Sequence, residues 1–190
     1  MLDFLQSIDE QIFIKINQDW ACQWMDPIMI ILSSSKTFIF LYVWALIAAI
    51  RKFKKRALIP IAAMILSFGL ADSISSRVFK PAFKRVRPAF EEHLHARFPD
   101  GQGHNSYGFV SSHSANSFAL YPLIILILVE EVKWRKPLFF LMIFTASAIA
   151  YSRVYLGRHY FGDVFFGGLL GALIGWGIWA IYKRYFLPKL

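Results

Sequence analysis

Apolar positions recur along this chain in two ways, and each predicts a different kind of helix. Near the start, Phe4, Leu5, Ile8, Ile12 and Ile16 return every three to four residues. That period gathers them on one face, which predicts an amphipathic helix lying along a membrane interface or against a bundle, within a lead-in of residues 1–24. Further on, apolar residues dominate five longer segments, 27–50, 57–79, 114–129, 137–152 and 160–182. About 20 helical residues cross a bilayer, so the pattern predicts an all-α polytopic membrane bundle of about five spans. The third and fourth segments hold only 16 uncharged residues each, so their polar flanks must complete the crossing or line a cavity. Ser33, Ser34, Ser35 and Lys36 interrupt the first segment, which is still read as one span.

Composition narrows the class. Of 190 residues, 57% are hydrophobic and 17% charged, and the mean hydropathy is +0.47. That is too apolar for an ordinary soluble domain, and the whole chain, 1–190, reads as one membrane-embedded domain around a core of 27–182. The net charge of +9 would suggest nucleic acid in a soluble protein. Here the basic residues sit between apolar runs, beside lipid headgroups, and no basic, stacking-rich module is present, so no nucleic-acid partner is expected. Nor does any obligate protein partner show. The lone Cys22 can form neither an internal disulfide nor a cysteine metal site. The N-terminus lacks a basic lead, a compact apolar core and a small-residue cleavage site, so no secretory signal peptide is expected there.

Short loops set the orientation. Arg51, Lys52, Lys54, Lys55 and Arg56, the stretch 133–136, and Lys183, Arg184 and Lys189 share one face if the spans alternate. They carry 11 of the 21 Lys and Arg, which makes that face cytoplasmic. The other ten are nearly as many, but several have a chemical reason for their place. The loop 80–112 and the turn 153–159 then lie together on the outer face, periplasmic in a bacterium.

Three clusters fall on that face. The first is KPAFKRVRP, with Lys80 and Arg87 separated by six intervening residues and Pro88 closing it. A guanidinium fork and a compact ammonium together suit a phosphate dianion; a basic patch touching anionic headgroups is the plainer alternative. The second is Val110, Ser111, Ser112 and His113, where the loop turns into the third span. Amides at a helix start attract anions, and a histidine beside them can exchange a proton near neutral pH. Alternatively, Ser111 or Ser112 caps the helix and His113 is merely interfacial. The third is SRVYLGRHYFGD, with Arg153 six residues before His159 and Asp163 four after it. On a helix beginning near His159, Asp163 can hold one imidazole nitrogen and leave the other free to attack phosphorus. A structural His and Asp pair is the alternative.

In this order the clusters resemble the signature of the type 2 phosphatidic acid phosphatase superfamily, KxxxxxxRP, then PSGH, then SRxxxxxHxxxD. The first motif matches from Lys80 to Pro88, and the third matches at Ser152, Arg153, His159 and Asp163. In the middle motif Ser111 and His113 match, while Val110 replaces Pro and Ser112 replaces Gly. The resemblance implies that His159 is the nucleophile, forming a phosphohistidine, and that Asp163 orients it. By the same resemblance His113 is the general acid and then the base. Lys80, Arg87 and Arg153, with Ser111 and the amides around Ser112, hold the phosphoryl oxygens. No metal or other cofactor is implied, since three cations can stabilise the charge a divalent ion would otherwise meet. Activity is expected to survive the Gly to Ser change.

Remaining features carry less. Asp72 and Arg77 read as a helix-end polar pair positioning the first motif. Glu91, Glu92, His93, His95, Asp100 and His104 lack tight ligand spacing and read as solvated loop. Gly167, Gly171 and Gly175 form a small-residue stripe that lets a neighbouring helix pack closely. The expected activity is hydrolysis of a membrane lipid phosphate: undecaprenyl diphosphate, a lipid A phosphate, phosphatidylglycerophosphate or phosphatidic acid. The alternatives are a phosphotransferase that passes the phosphoryl group to another lipid, and a non-catalytic headgroup-binding or transport protein.

Overall fold

The computed structural model describes residues 2–101, 107–129 and 131–186. His104 and Lys189 lie outside the described residues. The described residues form eight α-helices, joined by turns and short connections except for the long loop 84–111 between the fifth and sixth. The amphipathic lead-in is α1 (Leu2–Ile14), extended by a wide turn over Lys15–Asp19. One side of it packs inward through Phe13 and Ile16, while Phe4 and Leu5 remain exposed.

The first apolar segment divides in two, α2 (Asp26–Ser33) and α3 (Ile39–Phe53), where a single span was expected. The serines provide the reason. Ser34 adopts extended backbone and ends α2, its hydroxyl accepts from the Lys36 N–H at 3.3 Å, and Thr37 donates to the Ile31 carbonyl. Short polar side chains that bond to nearby backbone compete with the helical ladder. The chain still crosses from one end of the bundle to the other, because Lys52 at the far end of α3 donates to the carbonyls of Ile127 and Leu128 at 3.2 and 3.0 Å.

The second segment is one continuous run, Leu58–Phe83, made of α4 (Leu58–Ser73), a wide turn over Ile74–Phe79 and α5 (Lys80–Phe83). Then come α6 (Ser112–Leu128), α7 (Val132–Tyr155) and α8 (Phe161–Tyr185). Among the described residues, three helical stretches are long and apolar enough to cross a membrane: Leu58–Phe83, Val132–Tyr155 and Phe161–Tyr185. The 16 uncharged residues of the fourth segment belong to a helix of 24, completed by Lys133, Arg135 and Lys136 at one end and Arg153 at the other. Apolar residues on these helices face outward, among them Ile65, Leu66, Phe140, Phe144, Leu173 and Trp176, as lipid requires.

At the centre stands α6, packed on α4, α7 and α8. Being enclosed, it has no amphipathic pattern: Ala115, Ala119, Leu120, Leu123, Ile124 and Ile127 are all buried. The glycine stripe of α8 meets it. A Cβ on Gly167, Gly171 or Gly175 would lie 2.6, 2.1 or 2.5 Å from the carbonyl oxygens of Ser111, Ala115 and Ala119. These glycines let two backbones touch, as the stripe predicted. That contact holds the start of α6 against the start of α8, the two places from which His113 and Asp163 project.

Candidate active site

All three sequence clusters reach the same end of the bundle. Lys80 opens α5, at the close of the second passage. Arg87 lies in extended backbone immediately before the buried Pro88, the conformation that proline imposes on its predecessor. Arg153 occupies the last turn of α7, where its Nη1 donates to the Ser33 hydroxyl. Histidines 113 and 159 feel each other and all three cations electrostatically, so the five groups form one cluster.

The helix starts are built in interlocking fashion. Ser111 caps α6, its hydroxyl accepting from the Ser114 N–H at 3.5 Å, while its own N–H donates to the Asp163 carbonyl at 3.0 Å. Ser111 is fully buried, and with hydroxyl and amide both engaged it acts on the site by holding α6 in place. The amides of Ser112 and His113, in the first turn of α6, have no intrahelical acceptor and are the ones open to an anion. The Ser112 hydroxyl lies 2.9 Å from that of Ser75, so the serine that replaces glycine is tied to the second passage.

His159 stands two residues before α8, with Tyr160 as the cap and Asp163 as its third residue. Its Nδ1 is 3.3 Å from Asp163 Oδ2. The same oxygen accepts the Tyr160 N–H at 3.1 Å, and Asp163 Oδ1 accepts from Arg85 Nη1 at 2.9 Å. With Nδ1–H donating to Asp163 Oδ2, the neutral ring carries its lone pair on Nε2. Asp163 is completely buried. Burying a carboxylate costs several kcal/mol unless donors surround it, and here an amide, an imidazole and a guanidinium do. Gly108 makes room for it, since a Cβ there would lie 2.9 Å from Asp163 Oδ2.

His159 is 2% exposed, and its pKa lies well below the ordinary imidazole value. Burial is the main cause, followed by the positive charges of Arg87, Arg153 and Lys80; a backbone hydrogen bond with Gly108 opposes them. A neutral imidazole is the form that can attack an electrophile.

Sequence reasoning placed Lys80, Arg87, Ser111, Ser112, His113, Arg153, His159 and Asp163, and the fold brings all eight to this end. It missed Arg85, which links Asp163 to Asp9 and Gln6 of α1 at 2.8 and 2.6 Å, and Ser33, which anchors Arg153. Arg85 lay inside the first cluster as one more cation. The serine run marked Ser33 only as an interruption. Asp72 also behaves differently from expectation: its carboxylate accepts from Asn116 Nδ2 at 3.1 Å, while Arg77 is exposed. Asp72 thus ties the second passage to α6. In the loop between α5 and α6, His93 sits 3.6 Å from Glu10 and 3.8 Å from Glu91.

The sequence model of the PAP2 superfamily matches residues 57–186. A lipid A 4'-phosphatase of Bacteroides thetaiotaomicron is 32% identical over 180 residues, 93% of this chain and 77% of the relative. Phosphatidylglycerophosphatase B of Bacillus subtilis is 32% identical over 177 residues, 90% of this chain and 81% of the relative. Among solved structures, a transmembrane PAP2-type phosphatidylglycerolphosphate phosphatase from Bacillus subtilis superposes with a TM-score of 0.77 at 28% identity, covering 95% of this chain and 87% of that one. LpxE of Aquifex aeolicus shares the fold, with a TM-score of 0.61 at 21% identity over 88% of this chain and 92% of its own.

Proposed function

The chain belongs to the PAP2 superfamily, and on that footing we propose that it is an integral-membrane lipid phosphate phosphatase working through a phosphohistidine on His159. The observation that carries the reading is the buried His159 and Asp163 pair, 3.3 Å apart, set among Lys80, Arg87 and Arg153, with His113 within electrostatic reach of the same groups. The cations and the first-turn amides of α6 hold the phosphoryl oxygens. His159 Nε2 attacks phosphorus as the phosphoester bond to the lipid breaks, and His113, which takes up a proton once the phosphate's negative charge sits among the cations, gives that proton to the leaving oxygen. Water then attacks the phosphohistidine, His113 takes its proton, the P–N bond breaks, and inorganic phosphate leaves with His159 restored. Charge that develops on the equatorial oxygens meets fixed cations, the largest single contribution in such transfers.

A lipid A phosphate and phosphatidylglycerophosphate stand ahead of phosphatidic acid and undecaprenyl diphosphate as substrates. Relatives named for the first two match over nine-tenths or more of this chain. The site faces outward, toward the periplasm if the membrane is a bacterial inner membrane. The basic loop 51–56 at the opposite end supports that orientation.

The test is phosphate release from these four lipids by purified protein with chelator present, comparing the parent with His159→Ala. The parent should release inorganic phosphate at an undiminished rate, and the variant should lose at least about a thousandfold. Turnover by the variant would overturn the nucleophile, loss on chelation the cation-only mechanism, and phosphate appearing on a second lipid would make the protein a transferase.

A further inference from the structure

The Arg85 guanidinium is held by three side chains, those of Asp163, Asp9 and Gln6. Nη1 donates to Asp163 Oδ1 at 2.9 Å, and Nη2 donates to Asp9 Oδ2 at 2.8 Å and Gln6 Oε1 at 2.6 Å. The guanidinium plane lies over the Tyr160 ring, 4.2 Å from its centroid. Asp9 is held from the other side as well, its Oδ1 accepting the Gly162 N–H at 2.8 Å. A Cβ on Gly162 would lie 2.6 Å from Asp9 Oδ2, so α8 is shaped at this point to admit a carboxylate from α1. Two independent features, a forked cation and a glycine cleft, fix Asp9 against the start of α8.

We propose that Arg85 is a positioning residue for the phosphohistidine step, holding Asp163 toward His159 Nδ1, and that Asp9 of α1 holds Arg85 in turn. The inference rests on the phosphatase reading above. Asp163 has two oxygens: one is needed by His159 and the Tyr160 amide, and the other would be free to rotate away without Arg85. A fork with two donor ends spans two carboxylates at once, which a single ammonium cannot do with the same geometry. The amphipathic helix thereby becomes part of the active-site architecture, three contacts removed from the reacting phosphorus: Asp9 to Arg85, Arg85 to Asp163, Asp163 to His159. Since Arg85 acts through Asp163, its loss should slow the chemical step and leave substrate affinity in place.

The experiment measures kcat and KM for phosphate release from phosphatidylglycerophosphate in mixed micelles. It uses the full chain as parent, Arg85→Gln, Arg85→Lys, Asp9→Asn, the Asp9→Asn and Arg85→Gln double variant, and His159→Ala. Arg85→Gln should lower kcat by roughly 10- to 100-fold, the usual effect of removing a partner that orients a functional group, with KM within about twofold. Arg85→Lys should recover part of the loss, Asp9→Asn should lower kcat less, and adding Asp9→Asn to Arg85→Gln should cost nothing further, because linked residues are non-additive. If Arg85→Gln does not fold, Asp9→Asn and Arg85→Lys carry the same kcat against KM comparison. A raised KM with kcat kept would make Arg85 a phosphate ligand and overturn the proposal, as would losses that multiply or a kcat unchanged in every variant. If His159→Ala stays active the phosphatase mechanism itself fails; if it is dead while the Arg85 and Asp9 variants match the parent, only this inference fails.

Discussion

A histidine buried among three cations resists protonation, and for His159 that gives pH dependence a definite sign. Its folded-state pKa is depressed by burial and by Arg87, Arg153 and Lys80, whereas in the unfolded chain it titrates near the ordinary value of about 6.5. Above that value both states are neutral and the group contributes nothing to the pH dependence of stability. Below it, the unfolded chain takes up a proton that the folded protein does not, so stability falls with acidification. The nucleophile, meanwhile, stays in its reactive form. In nitrogen-labelled protein the His159 ring signal, identified by its absence from His159→Ala, should remain that of a neutral imidazole through pH 6. Protonation at or above pH 6.5 would contradict this arrangement. Local spacing was enough to mark His159, Asp163, Lys80 and Arg87, because each motif lies within one short stretch. Arg85 was illegible by the same method, since what distinguishes it from Lys84 is a carboxylate 78 residues away and another 76 residues away.

Between elements, the contact of α6 with α8 decides how well the two histidines face each other. Gly171 and Gly177 lie on the same helix yet in opposite surroundings. A Cβ on Gly171 would be 2.1 Å from the Ala115 carbonyl oxygen, whereas one on Gly177 would meet nothing within 4 Å. Gly171→Ala should therefore force the helices apart and cost about 1–3 kcal/mol, as overpacking generally does. Gly177→Ala should be neutral or stabilise by up to about 1 kcal/mol, the helix-propensity gain of alanine over glycine. Thermal unfolding in detergent separates them, and equal melting temperatures would rule out close backbone packing as the role of the stripe. The four-residue repeat of Gly167, Gly171 and Gly175 was visible in the sequence, but its partner was not. Repeats of this kind fit a neighbouring helix or a second copy equally, and only the fold shows that α6 receives them. The serine run had the opposite fate. Its position suggested an interruption, and the outcome, two helices, depended on whether the hydroxyls turned to the backbone or away.

Across the whole molecule, the basic ends of α3 and α8 lie opposite the active site. A sequence count of 11 Lys and Arg against ten gives little margin, so the proposed orientation rests on the chemistry that accounts for several of the ten. It can be tested in intact cells with Cys22→Ser as background. A cysteine replacing the exposed Glu92 should react with an impermeant thiol reagent from outside, and one replacing Lys54 only after permeabilisation. The reverse pattern would place the site on the cytoplasmic face.

Sequence alone determined the membrane character, the helical class and the amphipathic lead-in, and its motifs singled out the residues that the fold gathers at one end. These follow from hydropathy, from helical periodicity and from motifs whose residues are close in the chain. Only the tertiary structure decided that the first passage bends at Ser34, that Ser111 serves as a cap while Ser112 bonds to Ser75, and that α1 reaches Asp163 through Asp9 and Arg85. The physical reason is common to all three. Each depends on which of several possible partners a polar group meets, and that choice is made when helices from distant parts of the chain pack together.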